Sequence, residues 1–173
     1  MIGFPPRMEW IVSSGRPKFF DSSMFAPAMK ALTRSHVTLF RATGGRVGRK
    51  FRFGSAFPSG VPVCLLTTTG RKSGKDRTMA LLYLPDGERV IIVASRGGTG
   101  KHPQWYLNAG ANPQVKVQTG RRPQPMTART AEGEERADLW RRLVEFYPEY
   151  GNYQEWTDRE IPVVICEPVK AAS

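Results

Sequence analysis

Residues 61–95 read VPVCLLTTTGRKSGKDRTMALLYLPDGERVIIVAS. Val61 to Thr69 is apolar and β-branched and stops at Gly70, which predicts a strand ending in a turn. Residues 77–84 predict a second strand and 88–95 a third, with Pro85-Asp86-Gly87 as the hairpin signal between them. Further on, Val115 to Thr119 and Met126 to Thr130 predict another hairpin around Gly120 to Pro125, and Val163 to Cys166 a last strand. Strands joined by hairpins, with few helices between, predict a mainly β, α+β fold. Its antiparallel sheet would close into a small barrel.

Helices fill the gaps. Pro103 opens a short one that closes near Gly110. A longer one spans about 133–147, with acidic residues in its first turn and a stripe of Ala137, Trp140, Leu143, Val144 and Tyr147. Upstream, the spacing predicts a helix over 24–42. Phe25, Met29, Leu32, His36, Leu39 and Phe40 share one side, and Lys30, Arg34 and Arg41 the other. Such a helix can pack on the core or lie on an anionic membrane surface. His36, on the apolar side, reads as a packed histidine. Residues 43–60, rich in Gly and basic residues, predict a connector. Residues 1–23, broken by Pro5, Pro6, Gly15 and Pro17, predict a flexible N-terminal arm. The rest, 24–173, forms a single domain.

Composition narrows the class. A chain of 173 residues with 40% apolar and 24% charged residues suits one globular domain and excludes disorder. No unbroken apolar run, Val90 to Ala94 included, approaches the length of a membrane span. The N-terminus lacks a secretory pattern, so a cytoplasmic protein is expected. Cys64 and Cys166, far apart in apolar runs, read as core thiols. The net charge is +11, unevenly spread: nine basic and two acidic residues over 1–50, twelve and three over 51–130, five and ten over 131–173. This field favours an anionic partner: nucleic acid, anionic lipid, or a phosphorylated or polycarboxylate cofactor.

Four clusters could carry chemistry. Arg71, Lys72, Ser73, Gly74, Lys75 and Arg77 put four cations and a hydroxyl in one turn, enough to grip a phosphate or several carboxylates. Ser95-Arg96-Gly97-Gly98-Thr99-Gly100-Lys101 leads into the Pro103 helix, where backbone N–H groups can approach an anion. On that helix Trp105 could wall a flat ring and Asn108 hydrogen-bond it; packing would equally explain Trp105 and Tyr106. Tyr147, Tyr150 and Tyr153, followed by Trp156, could line a substrate slot and donate a proton, or could be an aromatic patch packed on the barrel. No metal-ligand spacing and no GxSxG motif occurs. A bound cofactor is therefore expected to supply the reactivity.

Three ordered motifs carry a resemblance. They are Leu65-Leu66-Thr67-Thr68-Thr69-Gly70-Arg71-Lys72-Ser73-Gly74 with Arg77; Ser95-Arg96-Gly97-Gly98 with Trp105-Tyr106-Leu107-Asn108 and Ala111-Asn112-Pro113; and Tyr147-Pro148 with Tyr150, Tyr153, Trp156-Thr157, Ile161-Pro162-Val163 and Cys166-Glu167-Pro168. Over residues 35–168 the chain resembles the deazaflavin-dependent nitroreductase family of mycobacteria and related actinomycetes. The resemblance implies a split β-barrel with peripheral helices. It also implies coenzyme F420, a deazaflavin with a phospholactyl oligoglutamate tail, and hydride transfer to quinones such as menaquinone or to nitroaromatics. By motif position, Arg71, Lys72, Ser73 and Arg77 would hold the phosphate and tail. Thr78, Met79, Ala80, Leu81 and Leu82 would run along the ring. Val93, Ala94, Ser95 and Arg96, with Gln104, Trp105, Tyr106, Leu107 and Asn108, would close around it. Tyr147, Tyr150 and Tyr153 would face the substrate, Tyr150 nearest the cofactor. Family members often carry Met at Gln104, an aromatic at Leu82 and Lys at Arg96. A lipid quinone would suit a basic helix docked on the inner face of the membrane. An FMN-binding split barrel would use the same phosphate loops. A nucleic-acid-binding barrel fits less well, because the tyrosines lie in the acidic third.

Overall fold

Val61 to Thr69 forms the strand its β-branched run predicts, and it pairs on both edges. The structure, a computed structural model, describes residues 35–51 and 60–169. In chain order these hold helical residues 35–42 (α1), β1 (Lys50–Phe51), β2 (Val61–Thr69), β3 (Asp76–Asp86), β4 (Arg89–Val93), α2 (Gln104–Ala111), β5 (Gln114–Gln118), β6 (Gln124–Thr130), α3 (Gly133–Phe146), α4 (Glu149–Glu155) and β7 (Val163–Pro168). The strand order is β1-β2-β3-β4-β7-β6-β5, and every pairing is antiparallel. A further pairing of β2 with β5, from Leu65↔Gln118 to Thr67↔Lys116, closes six of the strands into a barrel. The fold is thus the antiparallel α+β barrel with peripheral helices that the hairpin pattern predicts. The β3–β4 hairpin turns at Gly87-Glu88, just past the Asp86↔Arg89 pair, with Gly87 at φ 61°.

Strand alternation sorts the apolar residues into layers. Cys64 and Leu66 of β2, Val90 and Ile92 of β4, and Val164 and Cys166 of β7 point into the barrel, where Trp105 and Ala109 of α2 join them. The alternate residues Ile91, Val93, Val163 and Ile165 face outward and are covered by Leu139 and Leu143 of α3 with Tyr147 and Tyr150. Val37 and Phe40 of α1 cover Leu65 and Ala80. A side chain fully buried this way contributes roughly 1.5–3 kcal/mol. Both cysteines are free and buried, and burial pushes the Cys166 thiol up to about 12.

Several expectations are corrected. The stripe of α3 is centred on Leu139 and Leu143, while Ala137 is exposed and Trp140 sits at the edge under the Arg136 guanidinium. The buried face follows the longer side chains at i and i+4, and a lone alanine does not shift it. On α1, Leu39 is 48% exposed and Val37 takes its place in the core, because residues two apart on a helix do not share a face. His36 is half-buried, and its Nε2 lies 2.8 Å from Gly48 O, tying the connector to the helix. That connector also contains β1, paired to Pro62 and Val61. The tyrosine segment is a short helix, with Pro148 at the N-cap of α4 and Gly151 within it. The expected arm over 1–23 and the helix before residue 35 lie outside the described residues.

The corrected stripe makes a direct contrast. Leu143→Ala should cost about 3 kcal/mol in urea unfolding, and Ala137→Ser less than about 0.5 kcal/mol. Comparable losses at the two positions would contradict this packing of α3.

Candidate functional site

The β2–β3 turn is built on Gly70. Its carbonyl accepts from Ser73 N at 3.0 Å and Gly74 N at 2.7 Å, and its own N–H donates to Lys75 O at 2.9 Å. A Cβ on Gly70 would meet Ser73 Oγ at 2.8 Å and Lys75 O at 3.1 Å, so a side chain there would crowd the turn. This bundle of short bonds turns Arg71, Lys72 and Ser73 toward a cavity of about 740 Å³. The same cavity is lined by Asp76, Arg77, Thr78 and Met79 from the start of β3, by Arg96, and by Pro103, Gln104, Trp105 and Asn108 of α2 and its cap.

Asn108 joins the two sides. It is 6% exposed, and its Oδ1 accepts from Arg71 N at 3.2 Å while its Nδ2 donates to Thr68 Oγ1 at 3.3 Å. Arg71 Nη1 reaches Gln104 Oε1 at 2.9 Å. Asn108 is thereby committed to holding the turn against α2. On the outer side, Thr78 Oγ1 lies 2.8 Å from Thr67 Oγ1 and accepts from Arg41 Nη2 at 3.0 Å. Among the described residues Lys72, Arg77 and Arg96 make no ion pair, and the cavity's one carboxylate, Asp76, is taken by Lys116 at 3.3 Å. Cations left unpaired on one concave surface repel each other, and an anion relieves that repulsion.

The loop after β4 supplies Arg96. Arg96, Gly97 and Gly98 lie at φ 49°, 62° and 70°, a left-handed turn in which Arg96 is the one non-glycine residue at positive φ among the described residues. Arg159 binds this loop from below. Its Nε donates to Thr99 O at 2.9 Å and its Nη2 to Ala94 O at 3.1 Å and Ser95 O at 2.8 Å, and Nη1 lies 3.4 Å from His102 Nδ1.

Of the residues expected around the coenzyme, those nearest the Gly70 turn and at the start of α2 reach the cavity. Arg71, Lys72, Ser73, Arg77, Thr78, Met79, Arg96, Gln104, Trp105 and Asn108 line the cavity. Leu81 and Ala94 point into the barrel, Ala80 packs under α1, and Leu82 and Val93 belong to the outer layer. Ser95 and Leu107 are half-buried beside the cavity's elements, and Tyr106 turns toward His102 and Thr130. The tyrosines form a stack. Ring centroids are 4.9 Å apart for Tyr147–Tyr150 and 6.2 Å for Tyr150–Tyr153, and Tyr153 packs on Trp156. Tyr147 and Tyr150 are buried in the outer layer, while Tyr153 is half-buried, and none of the three lines the cavity. Burial first pushes all three hydroxyls above the ordinary value, with Tyr153 adding to it at Tyr147 and Tyr150 and Glu149 at Tyr153, so all three keep their protons at neutral pH.

Arg159, Asp76 and Arg41 join the site without a motif that announces them. Arg159 carries a faint signal, a lone cation between Asp158 and Glu160 in the acidic third. Nothing local shows that it reaches back across the fold to residues 94–102.

Fold and cavity together define an antiparallel barrel with a cationic, tryptophan-walled pocket between a strand turn and a helix. Comparison with known proteins is more specific. The family model for F420H(2)-dependent quinone reductase matches residues 32–168. An F420H(2)-dependent quinone reductase of Mycobacterium tuberculosis is 39% identical over 137 residues, 78% of this chain and 88% of that protein. A solved F420-H2 dependent reductase, FDR-A, is 51% identical with a TM-score of 0.57, covering 61% of this chain and 94% of the other. A second solved chain, described as a domain-swapped dimer, is 42% identical with a TM-score of 0.61, covering 82% and 99%. The chain belongs to the F420H(2)-dependent quinone reductase family, and so to a family of oxidoreductases that depend on coenzyme F420.

Burial, then the charge of Arg159, hold the His102 imidazole below the ordinary value of 6.5. The folded protein thus favours neutral His102. The associated stability is complete above pH 6.5 and is lost as pH falls from there through the lowered folded value. Between pH 7 and 5 the wild type should lose more thermal stability than His102→Gln. Equal losses would show that the imidazole is not held neutral.

Proposed function

We propose that this chain binds reduced coenzyme F420 in the 740 Å³ cavity and passes a hydride from it to a quinone, with nitroaromatics as incidental acceptors. The observation that carries this is the convergence of Arg71, Lys72, Arg77 and Arg96 beside Trp105 in one cavity. The donor set suits the group: a phosphate and glutamate tail needs cations free of ion pairs, and a flat ring needs an apolar wall. When bound, the coenzyme supplies a hydride from a ring carbon.

The protein's part is to bind, orient and donate. Lys72 and Arg77 would fix the tail as charge partners, and Ser73 would donate its hydroxyl. Trp105 would seat the ring against the barrel end, so that proximity lowers the barrier. The phenols stay protonated, so Tyr153, the most accessible of the three, can donate to an acceptor oxygen as charge develops there, with Tyr150 packed behind it. A lipid-soluble quinone also supports peripheral contact with an anionic membrane. Leu39 and Val47 are 48% and 47% exposed, and the exposed cations Arg41, Arg46, Arg49 and Lys50 lie around them in the chain. No helix among the described residues is long and apolar enough to cross a membrane.

Fluorescence titration with oxidised coenzyme F420, and separately with FMN, tests the cofactor. Wild type should prefer F420, and joint replacement of Lys72 and Arg77 by Ala should weaken binding at least about a hundredfold. Preference for FMN would move the chain to a flavin chemistry. In menadione reduction Tyr153→Phe should lower kcat by about tenfold or more with coenzyme affinity kept. Full activity in both Tyr150→Phe and Tyr153→Phe would remove the phenols from the proton path. Sedimentation with anionic vesicles at low salt should pull the protein down, and free protein in the supernatant would exclude the membrane contact.

A further inference from the structure

The left-handed turn Arg96-Gly97-Gly98 is an unusual place for an arginine, since a side chain at positive φ is strained. Its only internal brace is the 3.2 Å bond from Gly98 N to Ser95 O. Its outside support is extensive. Arg159 donates to Ala94 O and Ser95 O on the way into the turn and to Thr99 O on the way out, so one planar guanidinium spans both ends. The far side of the turn is seated on α4 and its cap: a Cβ on Gly98 would meet Tyr153 O at 2.9 Å and Trp156 Cβ at 3.1 Å. The backbone of Arg159 is held in turn by Gln154. Its Nε2 donates to Arg159 O at 2.8 Å, and its Oε1 accepts from Ile161 N at 2.9 Å. A lysine could not replace this, because an ammonium lacks the fork that reaches three carbonyls in one plane.

We infer that Arg159 is a positioning residue for coenzyme binding: it clamps both ends of the strained turn and so places Arg96 at the cavity. The inference rests on the cavity being the coenzyme site. It assigns Arg159 no contact with the coenzyme. Because Arg96 would attract the coenzyme equally before and during reaction, losing its placement should raise KM and leave kcat alone.

The test uses the full chain with Arg159→Met and, as the charge-conserving variant, Arg159→Lys. Hydrogen exchange on the free protein should be at least about tenfold faster at the Gly98 amide, with β4 and β7 unchanged. KM for reduced F420 in menadione reduction should rise about tenfold in both variants, with kcat within about twofold of wild type. A folded Arg159→Met with unchanged exchange at Gly98, or one that loses kcat at constant KM, would overturn the assignment. So would failure of both variants to fold, which would make Arg159 a residue of general stability. If wild type does not bind F420 at all, the functional reading fails on its own, and with it the link to KM. Exchange at Gly98 would then still decide whether Arg159 clamps the turn.

Discussion

β2 hydrogen-bonds on both edges: to β3 from Val63 to Thr69 and to β5 from Leu65 to Thr67. That double pairing closes the barrel, and a closed barrel has a fixed inside and outside. Cys64 and Leu66 must then face the interior, while Leu65 faces α1. A slip of one residue would exchange these faces and bring Thr67 inward, so the register is strongly determined. The same strand ends in the Gly70 turn. The position of the cationic turn is therefore a consequence of barrel closure.

The cavity inherits that rigidity from two sides. Thr68, at 1% exposure, anchors Asn108, and Asn108 anchors the backbone of Arg71. Trp105 and Ala109 of the same helix are embedded in the barrel interior. The cations are thus mounted on elements whose own positions are set by packing, which is what allows like charges to be held together without a partner. Charge elsewhere is arranged differently. Asp86 is paired by Arg142 and Arg89, and Glu135 by Arg129, with Arg129 also reaching Glu167. These pairs link α3 to the strands beneath it. They hold Glu135 and Glu167 of the C-terminal third against cations, while among the described residues Lys72, Arg77 and Arg96 stay free of ion pairs at the cavity.

Much of the fold was legible because its signals are local. The β-branched run before Gly70, the hairpin turning at Gly87 and the Pro103 helix start each depend on neighbours in the chain. Element faces were less legible. Ala137 and Leu39 fit an apolar stripe on paper, yet burial went to Leu139 and Val37, because the partner surface decides which side of a helix is covered. β1 was hidden in a Gly-rich connector, since two residues leave no period to read. The ten expected coenzyme residues that do line the cavity came from motifs whose glycines and cations stand close together in sequence. The others on β3 and β4 lie further from the Gly70 turn, packed in the barrel interior, under α1 or in the outer layer.

Short-range chemistry sets where the strands and turns fall, gathers cations around the Gly70 turn and places the tyrosines in succession on a short segment. Each of these is a statement about residues a few positions apart. Only the tertiary structure decided that Arg159 supports a turn more than sixty residues earlier in the chain. It alone decided that Asn108 is spent on Thr68 and Arg71, and that Tyr150 lies behind Tyr153 in the outer layer. A guanidinium finds carbonyls, and a ring finds a packing partner, only after closure of the barrel has brought distant segments within a few ångströms.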